Sequence, residues 1–236
     1  MFDFSTFVKE ILFSTFFEIQ LPQQRGNMMI DSICNDLTKK IQKKVEGIDE
    51  EKAEIIDYGL HLLIGEIPKT FVFIAVAALL GVLKEFFITV CVIFPYRAFS
   101  GGFHLKTHLG CIILTSLMYC GIPLASKYIV LNTVAKYIVV TCTWIFGMIM
   151  CKLYAPADTQ YVPVLRSKER KIRQNTSYIL LTIILSAGTF VNNTVVFNII
   201  WLGMLVQSMM ISRLAYKLTN NQYGHELYEQ SKEAVN

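Results

Sequence analysis

Charge is what this 236-residue chain has least of. Asp, Glu, Lys and Arg make up 17% of it, against 53% for the hydrophobic residues. An ordinary soluble domain is about a quarter charged, so there is too little charge here to clothe a water-facing surface. The same composition excludes the disordered, collagen-like and disulfide-scaffold classes. Lys and Arg exceed Asp and Glu by only four, and the basic residues are not gathered into one folded patch, which excludes a nucleic-acid reader. No strict alternation of apolar and polar residues runs through the chain, so helices are favoured over a barrel. No His-Glu-x-x-His metal motif occurs. The six cysteines are even in number, but Cys91, Cys120, Cys142 and Cys151 lie inside apolar runs, where they read as small fillers rather than disulfide partners.

What remains is long uncharged stretches. The 39 residues between Arg173 and Arg213 carry no Asp, Glu, Lys or Arg. One bilayer crossing takes about 20 residues, so this is room for two, with Asn192-Asn193 as the turn between them. Another 20 uncharged residues separate Lys106 from Lys127. The spans read as roughly 69–83, 86–98, 109–127, 134–152, 175–192 and 195–213. The second is short for a crossing. Its rival, one helix over 69–98, would bury Lys84 and Glu85 in mid-membrane at a cost of several kcal/mol. With six crossings and a cytoplasmic N-terminus, 19 of the 22 basic residues fall inside and only Lys84, Lys127 and Lys136 outside, as the positive-inside rule demands. The expected fold is therefore an all-α polytopic membrane protein with about six transmembrane helices, preceded by amphipathic and cytoplasmic N-terminal helices. Residues 1–54 form that N-terminal region, 55–215 the transmembrane domain and 216–236 a cytoplasmic tail.

Within 1–54, Phe2 to Ile19 suits a helix lying in the membrane interface better than a signal peptide, because Lys9 and Glu10 interrupt its apolar run. Asp31 to Glu46 and Glu50 to Glu66 read as two further helices, the second ended by Pro68.

One segment concentrates chemistry: Pro95-Tyr-Arg-Ala-Phe-Ser-Gly-Gly-Phe-His-Leu-Lys-Thr-His-Leu-Gly-Cys111, between the second and third spans. A cysteine nucleophile needs a base or imidazolium beside it, and two of the four histidines are here. Gly101 and Gly102 allow positive φ and close backbone approach, so their N–H groups could line an oxyanion hole. Cys111 stands where the third span begins, and a helix N-terminus lowers a thiol pKa. On a straight helix His108 and Cys111 are neighbours at i, i+3. His104 would lie about 10.5 Å from Cys111 along the axis and could serve only if the backbone folds back. Local geometry favours His108 as the base. Two other readings stand beside catalysis: a topology anchor at the membrane edge, and a metal site on His104, His108 and Cys111, for which no fourth ligand is near.

These residues resemble the AgrB (accessory gene regulator B) family of bacterial membrane endopeptidases, which mature autoinducing quorum-sensing peptides. The matching elements are Arg97, Gly102, His104 and Cys111 in their spacing, and Tyr154-Ala-Pro-Ala157 followed by Pro163, within a resemblance covering about 29–215. The resemblance implies that His104 and Cys111 are the catalytic pair, with Arg97, Gly101 and Gly102 in support and His108 the alternative base. It implies too that the backbone from Gly101 to Cys111 is not one straight helix. The implied partners are an AgrD-like precursor peptide, membrane lipids and a second copy in a homodimer, with no cofactor, metal or nucleic acid. The implied location is the bacterial cell membrane, with both termini and the active site cytoplasmic. The chemistry implied is cleavage of the precursor's C-terminal tail and closure of the remainder into a thiolactone or lactone through a thioester on Cys111. The basic loop residues Arg166, Lys168, Arg170, Lys171 and Arg173 would bind an acidic tail or anionic lipid. Asp158 lies on the same side as a conceivable third catalytic group. A small peptide exporter without proteolytic activity is the competing function. It is disfavoured by the lack of intramembrane charge and of an internal repeat; a membrane scaffold comes after it.

Overall fold

The computed structural model describes residues 28–45, 48–103, 105, 108–158, 164–221 and 223–235. The expected interfacial helix at 2–19 lies outside them. Nine helices fill the described residues: α1 (Met28–Lys44), α2 (Glu50–Leu79), α3 (Leu83–Ser100), α4 (His108–Ser126), α5 (Thr133–Tyr154), α6 (Ser167–Thr189), α7 (Thr194–Met210), α8 (Arg213–Leu218) and α9 (Gly224–Val235).

The boundaries have local causes. Asp49, Asn132, Asn193 and Ser212 each accept a backbone N–H of the turn that follows, capping α2, α5, α7 and α8. The helix over 69–98 does not form. Gly81, at φ 65°, ends α2 in a Schellman turn in which Gly81 N–H donates to Ala78 O (3.1 Å) and Val82 N–H to Ala77 O (2.9 Å). Pro68, expected to end a helix, instead sits inside α2. A proline removes one backbone bond, whereas a helix end leaves up to four donors or acceptors without intrahelical partners.

Helices α3 to α7 alternate in direction. At one end of the bundle Lys127 Nζ, just past α4, reaches Gly81 O (3.0 Å) and Glu85 (3.6 Å) at the start of α3. Asn198 near the start of α7 donates there to Ser126 O (3.0 Å) and Ile129 O (2.8 Å). At the other end the Tyr96 hydroxyl of α3 lies 3.0 Å from Cys151 Sγ of α5 and 3.1 Å from Ser208 Oγ of α7. Between these polar ends the core is Ile93, Leu181, Leu185, Met204 and their neighbours. Small residues let the backbones approach: a Cβ on Gly147 would stand 2.6 Å from Leu181 Cδ2, and one on Gly203 3.0 Å from Ile93 Cγ1.

Among the described residues, two helices are long and apolar enough to cross a membrane, Leu109–Ser126 of α4 and Thr133–Tyr154 of α5. Only 28% and 17% of these windows are buried. Their outward faces present Ile113, Leu117, Ile138, Ile145 and Ile149, a surface suited to lipid rather than water. Length and hydropathy therefore support two of the six expected crossings. The apolar helices Ile67–Leu79 and Thr194–Met210 are shorter. The first turns of α3 hold Lys84 and Glu85, and those of α6 hold Lys168, Glu169, Arg170, Lys171 and Arg173.

Gly147→Val drives two methyls into Leu181 and Ser208 and is expected to cost about 1–3 kcal/mol, read as a lowered unfolding midpoint in detergent. Gly59→Ala, with nothing within 4 Å of the new Cβ, is expected to leave the midpoint unchanged or slightly raised.

Candidate functional site

The Arg-Gly-Cys segment is held at the bundle end that also gathers the basic start of α6. Helix α3 ends at Ser100, and Gly101 turns the chain at φ 79° with its N–H donating to Arg97 O (2.9 Å). Gly101 then pairs with Ala157 in an isolated parallel bridge: Ala157 N–H donates to Ser100 O (2.8 Å) and Gly102 N–H to Ala157 O (2.9 Å). A Cβ on Gly101 would stand 2.3 Å from Ala157 O, and one on Gly102 3.0 Å from an Arg97 nitrogen, so neither position accommodates a side chain. Both glycine N–H groups donate to backbone acceptors in this structure.

Arg97 supports the same turn. One guanidinium nitrogen donates to Gln207 Oε1 (3.1 Å) and the other to Phe103 O (3.2 Å). Gln207, fully buried on α7, donates to Gly101 O (2.8 Å) and Ser100 Oγ (3.3 Å). Backbone up to Phe103 is thus gripped from α3, α7 and the segment after α5. The chain then re-enters helix at His108, so Gly101 to Cys111 is not one straight helix. Cys111 follows in the first turn of α4, half-buried, its Sγ 4.0 Å from Thr115 Oγ1. His104 lies outside the described residues, and His108 is placed only as the first residue of α4. Among the described residues, no group of three His, Cys, Asp or Glu side chains is placed to hold a metal ion.

The basic cluster divides. Arg166, Lys168 and Lys171 are exposed, whereas Arg173 pairs with Glu169 at 2.8 Å. Arg170, expected on a peptide-facing surface, is instead 7% exposed. Its guanidinium donates to both Asp158 oxygens (2.8 and 3.2 Å), to Val164 O (3.0 Å) and to Pro156 O (3.3 Å), and lies over the Tyr228 ring. Asp158 also accepts Val164 N–H (2.7 Å). The two side chains are thus committed mainly to each other and to the backbone of the 156–164 segment, a structural role for both. Glu85 lies at the opposite end of the bundle, beside Lys127. Gln207 and the pairing role of Ala157 were not foreseen. The available sign of the former was an uncharged amide in a mostly apolar helix, one of two there with Asn198.

Fold and site together define a protein that is helical over its described residues, with two helices suited to crossing a membrane and a glycine turn pinned at one bundle end, shortly before Cys111 in the first turn of α4. The chain belongs to the accessory gene regulator B (AgrB) family, whose model matches residues 34–211. It is similar to proteins described as AgrB-like. One from Listeria monocytogenes serovar 1/2a is 28% identical over 185 residues, covering 77% of this chain and 87% of the relative. One from Listeria innocua has the same identity and coverage. One from Clostridium acetobutylicum is 22% identical over 197 residues, covering 83% and 91%. No solved structure matches. Membership assigns the protein a role in the accessory gene regulator system of quorum sensing.

Arg170→Met leaves Asp158 charged, buried and unpaired, and is expected to destabilise by about 3–5 kcal/mol. The double variant Asp158→Leu/Arg170→Met should regain most of that, and Lys168→Gln should change stability by less than about 0.5 kcal/mol. Unfolding midpoints measured side by side check the set. A neutral Arg170→Met would show that the pair does not hold the segment.

Proposed function

We propose that the protein is a membrane-embedded cysteine endopeptidase and cyclase acting on an AgrD-like precursor, with Cys111 as nucleophile and His104 as base. The observation that carries this reading is the placement of a half-buried cysteine in the first turn of α4, a few residues beyond a turn, Ser100 to Phe103, whose backbone is held by Arg97, Gln207 and Ala157. Nucleophilic catalysis needs such preorganisation, and a structural cysteine would not.

The Cys111 thiolate attacks the carbonyl at the junction between the precursor's core and its C-terminal tail. His104 takes the thiol proton and passes it to the leaving amine. The tail departs and the core remains as a thioester on Cys111. A Cys or Ser side chain within the core then attacks that carbonyl, giving a thiolactone or lactone and returning the thiol. With the glycine amides spent, charge developing on the carbonyl oxygen is favoured by the positive end of the α4 dipole. A site at the membrane edge excludes the water that would hydrolyse the thioester.

The reading includes six crossings with the site on the cytoplasmic face. The alternation of α3 to α7 supports this, as does the apolar second half of α2, which ends beside Lys127. It also includes tail binding by the exposed Arg166, Lys168 and Lys171, and a homodimer as the working state.

With a cognate precursor in vesicles, Cys111→Ala should release no tail. His104→Ala should slow release about 100- to 10,000-fold, while His108→Ala stays within a few-fold of the parent. Release of tail at the parent rate by Cys111→Ala would refute the assignment, and an inactive His108→Ala beside an active His104→Ala would move the base to His108. Mass spectrometry of the released tail measures all three.

A further inference from the structure

The matched family region ends at residue 211, yet the chain beyond it returns to the site. Tyr216 of α8 is buried, and its hydroxyl donates to Ala157 O (2.5 Å). That carbonyl also accepts Gly102 N–H. The Tyr216 ring stands edge-on to Phe103, with centroids 6.1 Å apart, and Phe103 immediately precedes His104. Tyr223 packs on Tyr216 with ring centroids 4.8 Å apart, and its hydroxyl donates to Tyr154 O. Gly224 N–H donates to Asp158 O (3.0 Å). Three polar links thus run from residues 216–224 to the 154–158 segment, whose Ala157 pairs with Gly101.

We infer that the C-terminal segment is a clamp on the catalytic loop, with Tyr216 as a positioning residue: by sharing the Ala157 carbonyl with Gly102 and bracing Phe103, it fixes the backbone as far as Phe103, the residue before His104. The catalytic consequence rests on the endopeptidase reading, but the clamp itself does not. The geometry has a chemical logic. A carbonyl has two lone pairs, and satisfying the second with a buried hydroxyl holds Ala157 O in the orientation Gly102 needs. Burial, together with Tyr223 and Asp158 nearby, pushes the Tyr216 phenol well above its ordinary pKa, so it remains a donor at every physiological pH. Ring and hydroxyl have separable roles, the ring against Phe103 and the hydroxyl on the strip.

The test is Tyr216→Phe in the full-length protein in vesicles, with Tyr128→Phe, 78% exposed at the opposite end, as the control. Two readouts are taken. Hydrogen exchange of the backbone over 100–103 is independent of activity, and Tyr216→Phe should accelerate it about tenfold with the unfolding midpoint little changed. Steady-state tail release should show kcat lowered about tenfold and the KM for the precursor within twofold, because the loop and not the peptide-binding surface is loosened. Tyr216→Ala should worsen both. Unchanged exchange over 100–103 in Tyr216→Phe would overturn the clamp whatever the activity. Faster exchange with unchanged kcat, or a change confined to KM, would overturn its positioning role. If the parent protein releases no tail at all, the endopeptidase reading fails and the exchange experiment still decides the clamp.

Discussion

The structure around the site depends on one short seam, the pairing of Gly101 with Ala157. Two segments 56 positions apart exchange backbone bonds there, and a Cβ on Gly101 would collide with the Ala157 carbonyl. The demands on glycine and on the Ala-Pro-Ala element are therefore one demand. Only a residue without a side chain lets the end of α3 approach the end of α5 this closely, and only at that approach do Arg97 and Gln207 reach the turn. The buried Asp158–Arg170 pair secures the far side of the strip by tying it to the start of α6. Remove the seam and the backbone of this turn keeps the bonds from Arg97 and Gln207 and the packing of Phe103 on Tyr216.

Polarity is distributed to suit an apolar surrounding. Polar groups buried in the helices pair with one another, Tyr96 with Cys151 and Ser208, Asn198 with two carbonyls and Trp201, and Gln207 with the glycine turn; the Ser126 hydroxyl at the end of α4 is the exception among the described side chains. In a medium that offers no hydrogen bonds an orphaned group costs several kcal/mol. These clusters sit near the helix ends, while the helix middles meet through glycine and aliphatic side chains. The proposed chemistry uses the same separation, with peptide and charge at one bundle end and water excluded by the apolar body behind it.

Much of this was legible in the sequence, and what was not has a common cause. The break between α2 and α3 and the helices flanking Asn192-Asn193 follow from local signals of charge, glycine and asparagine, whereas the irregular stretch before Cys111 was implied by the family resemblance. Pro68 misled because a single lost backbone bond does not end a helix that has no better use for its remaining groups. Arg170 and Asp158 were read as surface charge and free acid. Sequence shows where a charge sits along the chain and not whether a partner twelve residues away will neutralise it. The second carbonyl contact from Tyr216 and the amide of Gln207 are tertiary events, spanning 59 and 106 positions, and no periodicity announces them. Of the six crossings read from the sequence, length and hydropathy support two among the described residues, those of α4 and α5, since α3 and α6 begin with charged turns.

The central claim is that Cys111 carries the precursor core as a thioester while the loop before it is held rigid. Its most direct test is to mix the parent protein with a precursor lacking the internal Cys or Ser, quench in acid, and map the adduct by peptide mass spectrometry. The account predicts a hydroxylamine-sensitive acyl group of core mass on the peptide containing Cys111 and on no other cysteine. Stoichiometric tail release with Cys111 unmodified throughout would contradict it.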